Sequence, residues 1–552
     1  MDRHTALLDS LKQADSLRRS SHWTQAIEIY LAAEGMHPKE AGIKHNAAVC
    51  YLALNNAEAA LRYADLAIDL NADLWQSRLL KAKSLRRLGK SDLAIPLLIK
   101  LLKQFPESSE IRLELSSLAM EELGDAALAE KLVRPLHDHP QHGKNARLTE
   151  LMANLYDSEK SADELSSGLC AFANVHLQKP RAMSATMSET RQRVSARRRV
   201  GLLSPQFCCS PVYFFCVGAL RHLAQDVDLV FLNRGRREDW ATKEFQALAA
   251  EWLDVADLDA ERLAAFIARQ SLDVLIDMGG WMDPVGLSAL SGKPAKRLYK
   301  WVGGQSATTG ISAFDGFLTD AHQSLPEDQA FYAEPLIFLQ NGYVTYTPPP
   351  YMPGPTCSDA GDVFGVISNP VKISRDFLVF LKTGIEAYLN GCNERISLRF
   401  IDRRYRHAQL RSRIAMALQM DSLPNRERLK LDFIVPHSHR NYLEEVGKLT
   451  AVLDTFPYTG GLTTVEALAL GVPCITKAGR LFCERHSYAH CRYAGLEPPL
   501  VEIGHESEKN LAEMLHFYHL ERQKETHRST LISKSSPRLD HQALANALFE
   551  LF

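Results

Sequence analysis

What this 552-residue chain lacks narrows it first. Cysteine is sparse and scattered, ten in all, and no two form a Cys-x-x-Cys pair. That pattern offers no disulfide framework and no standard zinc ribbon, so a reduced, cytoplasmic protein is expected. No run of about 18 apolar residues occurs, so no membrane-spanning helix is expected. The opening residues, MDRHTALLDSLKQADSLRR, carry charge throughout and have no apolar core, so they are not read as a secretory signal. A basic excess is missing too: 64 Lys and Arg stand against 66 Asp and Glu. A general nucleic-acid binder shows a basic patch or excess, so nucleic acid is not an expected partner. Apolar content of 46% and charged content of 24% are ordinary for globular chains, so disorder is not the default.

What is present begins with a repeat. Ala26, Ala60 and Ala94 lie 34 residues apart, and Leu128 holds the fourth place. Pro38, Ala72, Pro106 and Pro140 each follow twelve residues later. This is the tetratricopeptide period. A small residue lets two antiparallel helices approach, and a proline cannot continue the second helix. Such a solenoid offers a concave surface to a protein partner, and it equally suits a structural or dimerising array. Two more helices, about 146–156 and 161–177, extend the array. The polar, basic segment KPRAMSATMSETRQRVSARRRV then reads as a linker.

From Arg199 the pattern changes to apolar strands alternating with helices, which argues for parallel sheets with covered faces. The alternation runs through two successive halves. A cleft between them suits a nucleotide-linked ligand outside the C-terminal strand ends. The domains expected are a helical repeat domain at 1–177, a linker at 178–198, and Rossmann-like halves at 199–345 and 346–552. A helix is expected over 372–389.

One stretch organises the rest: LDTFPYTGGLTTVEALALGVP, beginning at Leu453. It reads as a strand, a turn carrying Gly460 and Gly461, and a helix over 463–470. A helix N-terminus has unpaired amides and a positive dipole end, which together favour an anion. Thr463 and Thr464 would add hydroxyl donors there. Glu466, one turn in, is placed to accept from a sugar or ribose hydroxyl.

Five segments fall in a familiar order: LSPQF, LIDMGGWMDPVGLSALSGKPAKRLYKWVGG, FDGFLTD, ISNPVKIS and LDTFPYTGGLTTVEALALGVPCIT. In this they resemble the O-GlcNAc transferases, glycosyltransferase family 41. The resemblance implies an α-helical tetratricopeptide solenoid followed by an α/β GT-B fold of two Rossmann-like halves. It implies a protein O-glycosyltransferase that inverts the transferred sugar. Lys372 would be the catalytic cation on the donor diphosphate, with Asn369 beside it; a fixed cation stabilises the charge on a leaving phosphate. Thr463 and Thr464 would hold phosphate, Glu466 the ribose, and Tyr442 the base. Gly303 and Gly304 would let backbone approach the sugar, and residues 277–280 would line the same cleft. A UDP-sugar is the donor implied. The alternative is a CMP-nonulosonic acid moved to flagellin, as in some bacterial relatives. The repeats would recruit the protein acceptor, and a homodimer is compatible with them. A catalytically silent scaffold is the remaining reading.

Two departures and one cluster bear on the chemistry. The family's acid and nearby histidine are replaced by Gln206 and Ser210 in SPQFCCSP, and a neutral serine is a poor base. Glu251, before the strand WLDV, is the substitute considered. Cys483, His486, His490 and Cys491 match no standard zinc spacing, so no metal is expected. His437 and His439, in HSH, read as a loop histidine pair.

Overall fold

Small residues at the repeat marks let the first helices pack in pairs: Ala26, Ala60 and Ala94 are fully buried. The computed structural model describes residues 3–20, 22–177, 197–354, 361–419, 425–496, 507–522, 529, 532–533 and 540–552. The chain divides into two compact units, residues 1–150 and 151–552.

The first unit holds α1 (Arg3–Arg19), α2 (Trp23–Met36), α3 (Ala41–Ala53), α4 (Ala57–Leu70), α5 (Trp75–Arg87), α6 (Ser91–Gln104), α7 (Ser109–Glu121) and α8 (Ala126–Val133). The boundary falls within α9 (Gly143–Asn154). Side chains set several of the starts. Asn56, Ser108 and Asp125 accept from the backbone amides of Ala59, Ile111 and Leu128, satisfying donors that a helix leaves open.

The second unit opens with α10 (Ala162–His176), begun by a capping box of Ser161 and Glu164. A helical domain reaching 177 was expected, but α10 packs with the α/β part. Ser166 donates to the Phe331 carbonyl, Phe172 meets Trp281 edge-on at 5.8 Å, and the Gly310 backbone lies on Leu169 and Ala173. The expected linker falls outside the described residues except for Arg197 and Arg198.

A seven-stranded parallel sheet follows, in the order β3-β2-β1-β4-β5-β6-β7. Its strands are β1 (Arg199–Ser204), β2 (Asp228–Asn233), β3 (Glu251–Asp254), β4 (Val274–Asp277), β5 (Arg297–Lys300), β6 (Gly316–Thr319) and β7 (Leu336–Phe338). Their helices are α11 (Pro211–Leu223), α12 (Trp240–Leu248), α13 (Ala260–Arg269) and α14 (Pro284–Leu290). β4 is buried at every position, as expected of a parallel strand covered on both faces.

The second sheet has five parallel strands, β10-β9-β8-β11-β12: β8 (Asp362–Val366), β9 (Ile396–Ile401), β10 (Leu429–Ile434), β11 (Ala451–Leu453) and β12 (Cys474–Ile475). With it go α15 (Arg375–Gly391), α16 (Ala408–Ala417), α17 (His439–Gly447), α18 (Leu462–Ala469), α19 (His486–Tyr493) and α20 (Ser507–Arg522). The last helix, α21 (His541–Leu551), departs from the expected 346–552 half. Leu544, Ala545 and Leu548 complete the apolar core of the first sheet, and His541 lies against Gly218 of α11. No described helix is long and apolar enough to cross a membrane.

Candidate active site

The stretch from Leu453 folds as the strand, turn and helix its sequence suggests. The turn is fastened from within. Asp454 accepts from the Gly460 amide at 2.8 Å and from Thr476 Oγ1 at 2.8 Å. Burial pushes its carboxyl up, and these bonds and Lys372 work against that. Thr459 donates through both its amide and its hydroxyl to the Cys483 carbonyl. A Cβ on Gly460 would meet Thr464 Oγ1 at 2.6 Å, so only glycine fits. Gly461 differs: a Cβ there would face open space. No side chain caps α18 at Gly461. The first amides of α18 therefore keep their anion-binding capacity.

Lys372 reaches this turn from the end of β8. It lies in a 3₁₀ turn, Pro370–Lys372, rather than in the helix expected over 372–389. Ser374 caps the helix instead, accepting from Phe377 N at 3.1 Å, so α15 starts at Arg375. Asn369 opens the 3₁₀ turn, its side-chain oxygen accepting from Val371 N. The Lys372 ammonium donates to the Thr459 carbonyl at 2.6 Å and sits over the Tyr458 ring, 4.3 Å from its centroid. Burial pulls it down to about 8, with Asp454 opposing. Tyr458 is stacked on Tyr156, centroids 5.1 Å apart, and its hydroxyl is 2.9 Å from Ser306 Oγ of the first half.

Other expected residues take narrower roles. Thr463 is partly exposed at the second position of α18. Thr464 is buried, 2.6 Å from Ser487 Oγ, which donates in turn to the Gly460 carbonyl. A serine has one hydroxyl proton, so Thr464 must donate to Ser487, and its proton is not available to a phosphate. Glu466 is 1% exposed, with Oε1 2.8 Å from His439 Nε2. His439 is the first residue of α17, not a loop residue. Tyr442 stacks on it at 6.0 Å, and its buried hydroxyl has no partner among the described residues.

Gly303 and Gly304 have left-handed φ of 66° and 60°. A Cβ on either would overlap the Met278 or Gly279 carbonyl, so their bareness serves the protein's own backbone. Sequence reasoning missed what joins these loops. Lys300 is fully buried and donates to the carbonyls of Asp277 (3.2 Å), Val302 (3.2 Å) and Gly303 (2.6 Å). It also pairs with the Asp277 carboxylate at 3.2 Å. That carboxylate accepts from Gly279 N and Gly280 N. The available signal was a lysine inside the apolar run RLYKWV, directly before two glycines. Tyr458, Tyr156 and Ser487 were missed as well, and no pattern marked them.

Ser210 donates to the Gln206 carbonyl at 3.0 Å. Glu251 is corrected. It begins β3, opposite the C-terminal strand ends that carry the site, and pairs with Arg199 at 2.9 Å. His486 is buried and pulled down to about 3, by burial first and then by Lys372. His490 instead stacks on Phe215. Among the described residues, no group of three or more His, Cys, Asp or Glu could hold a metal.

The Tetratricopeptide repeat family matches residues 11–74 and 79–134. A protein of Solanum lycopersicum, "Probable UDP-N-acetylglucosamine--peptide N-acetylglucosaminyltransferase SPINDLY", is 24% identical over 316 residues, 54% of this chain and 32% of its own length. The protein of that name from Hordeum vulgare is 26% identical over 298 residues, covering 51% and 30%. The chain thus spans about a third of the length of these curated relatives. Among solved structures, a mutant O-GlcNAc transferase of Thermobaculum terrenum aligns with a TM-score of 0.64 at 21% identity, covering 100% of this chain and 97% of the other. At that identity the structural match speaks for the fold. The chain thus carries tetratricopeptide repeats ahead of an α/β region with two parallel sheets, shares its fold with the Thermobaculum structure, and over about half its length is similar in sequence to the SPINDLY proteins.

Proposed function

We propose that the chain is a glycosyltransferase that moves a sugar from a nucleotide-sugar to a Ser or Thr hydroxyl of a protein. One observation carries this: at the C-terminal ends of β8 and β11, a partly desolvated Lys372 ammonium donates to the Thr459 carbonyl, in the turn that leads into the uncapped N-terminus of α18. Cation and amides together suit a diphosphate. In a direct, inverting displacement, the bond from the anomeric carbon to the phosphate oxygen breaks as the acceptor oxygen bonds. Negative charge grows on the departing phosphate, where Lys372 and the α18 amides stabilise it. Glu466 lies one turn further along α18, with Tyr442 on the neighbouring α17, where the nucleoside would sit. The repeat unit supplies an acceptor surface, including a cavity of about 700 Å³ lined by Val49, Leu52, Leu80, Lys83 and Glu114.

The names of the SPINDLY relatives point to UDP-N-acetylglucosamine as donor. The Gln206–Ser210 bond favours a second reading, a nucleotide-binding protein without transfer, because that loop supplies no base. The test is thermal shift and calorimetry against UDP, GDP, CMP and their sugar conjugates, followed by transfer to Ser/Thr peptides. A ligand that binds only the native state raises its melting temperature. UDP binding with transfer is expected. CMP binding moves the proposal to a nonulosonic acid and flagellin, binding without transfer favours the silent reading, and no binding overturns both.

A further inference from the structure

Glu466 is a buried carboxyl with one of its two oxygens engaged. Oε1 faces His439 Nε2 at 2.8 Å, and its second oxygen takes no hydrogen bond among the described residues. A carboxylate can only accept, and burying one unpaired is strongly unfavourable. We propose that His439 is a positioning residue, which holds Glu466 ionised and oriented so that its second oxygen accepts a hydroxyl of the bound nucleotide's ribose. This rests on the nucleotide reading of the site.

The ring of His439 is held by several contacts. Ser438 caps α17, accepting from Asn441 N at 3.1 Å. Nδ1 lies 3.0 Å from the Tyr351 hydroxyl. Phe214 packs against the ring at 5.7 Å, and Tyr442 stacks on it at 6.0 Å. With Nε2–H turned to Glu466, Nδ1 is left to the Tyr351 hydroxyl. Burial pushes the Glu466 carboxyl up, and the hydrogen bond and charge of His439 oppose that.

The other titratable groups facing the pair are the phenols of Tyr346, Tyr351 and Tyr442 and the thiol of Cys209. All four are pushed up, by burial first, and so stay protonated near neutral pH. Asp239 and Arg237 lie behind Cys209, and Asp402 behind Tyr442.

The test is calorimetry on the whole chain across pH, with UDP, GDP and CMP as probes, comparing wild type with His439→Leu and His439→Gln. Leucine removes both donor and charge, so the Glu466 carboxyl rises and its ionised form is lost sooner on acidification. At alkaline pH, where Glu466 is ionised in both proteins, His439→Leu should bind only slightly more weakly than wild type, because only the orientation is lost. Toward acid pH its binding should weaken by about tenfold for each pH unit below the raised carboxyl. His439→Gln keeps a neutral donor and should fall between the two. Equal weakening of both variants at every pH overturns the proposal, since a packing role predicts that and leaves the nucleotide reading standing. If wild type binds none of the three nucleotides at any pH, the nucleotide reading falls and this inference with it.

Discussion

Two lysines in this molecule each sit beside a pair of glycines, and they end in opposite conditions. Lys300 is enclosed. Its ammonium meets three backbone carbonyls and the Asp277 carboxylate, and Gly303 and Gly304 press against Met278 and Gly279. Lys372 donates to one carbonyl and rests on one aromatic face, beside a helix end that no side chain caps. The glycines follow suit. Gly304 is demanded by the backbone opposite it, whereas Gly461 faces open space. A lysine with a glycine loop therefore marks a ligand site only where donors remain after the protein has met its own needs.

Lys300→Met should break the comparison most visibly. Removing one partner of a buried pair leaves the other uncompensated, at about 3–5 kcal/mol. Urea unfolding should show that loss. A variant as stable as wild type would mean that Lys300 is no internal clamp.

Lys372→Ala should do the reverse. Transfer should fall by about 10²–10³-fold, while the unfolding midpoint stays level or rises, because burial already works against the charged form. The pH dependence follows from the sign of that shift. The folded value, about 8, lies below the ordinary 10.5. Between them the unfolded chain binds more protons, so stability should rise with pH across that window. Donor affinity should fall as pH climbs above about 8, because phosphate favours the ammonium. The alanine variant should lose both slopes, and unchanged slopes would remove Lys372 from the site.

The same contrast explains what could be read from the sequence. The repeat period was legible because helix packing depends on single small residues at fixed spacing. The organising stretch was legible because a strand, a glycine turn and a threonine-bearing helix start are local. Contacts made across the fold were not. Thr464 has the residue type of a phosphate donor, yet Ser487, 23 residues on, takes its proton. Glu251 precedes an apolar strand, but only sheet order shows it at the wrong end. Lys300 could be noticed but not interpreted, since its partners come from the ends of β4 and β5. The α10 and α21 boundaries were misplaced because a helix does not record which core it will join.

The smallest expected effect tests what holds Lys372 in place. The Tyr458 hydroxyl is 2.9 Å from Ser306 Oγ, while its ring lies under the ammonium. Tyr458→Phe removes the hydroxyl and keeps the ring, so stability should drop by about 1 kcal/mol with nucleotide affinity nearly unchanged. Tyr458→Leu removes the ring as well, and with it a cation–π contact of about 0.5–2 kcal/mol. If the ring positions the ammonium, affinity should fall only in the leucine variant, as paired calorimetry would show. Equal affinities would mean that the Thr459 carbonyl alone positions Lys372. Its freedom relative to Lys300 would then come from the number of oxygens around it, and the aromatic face would serve only to exclude water.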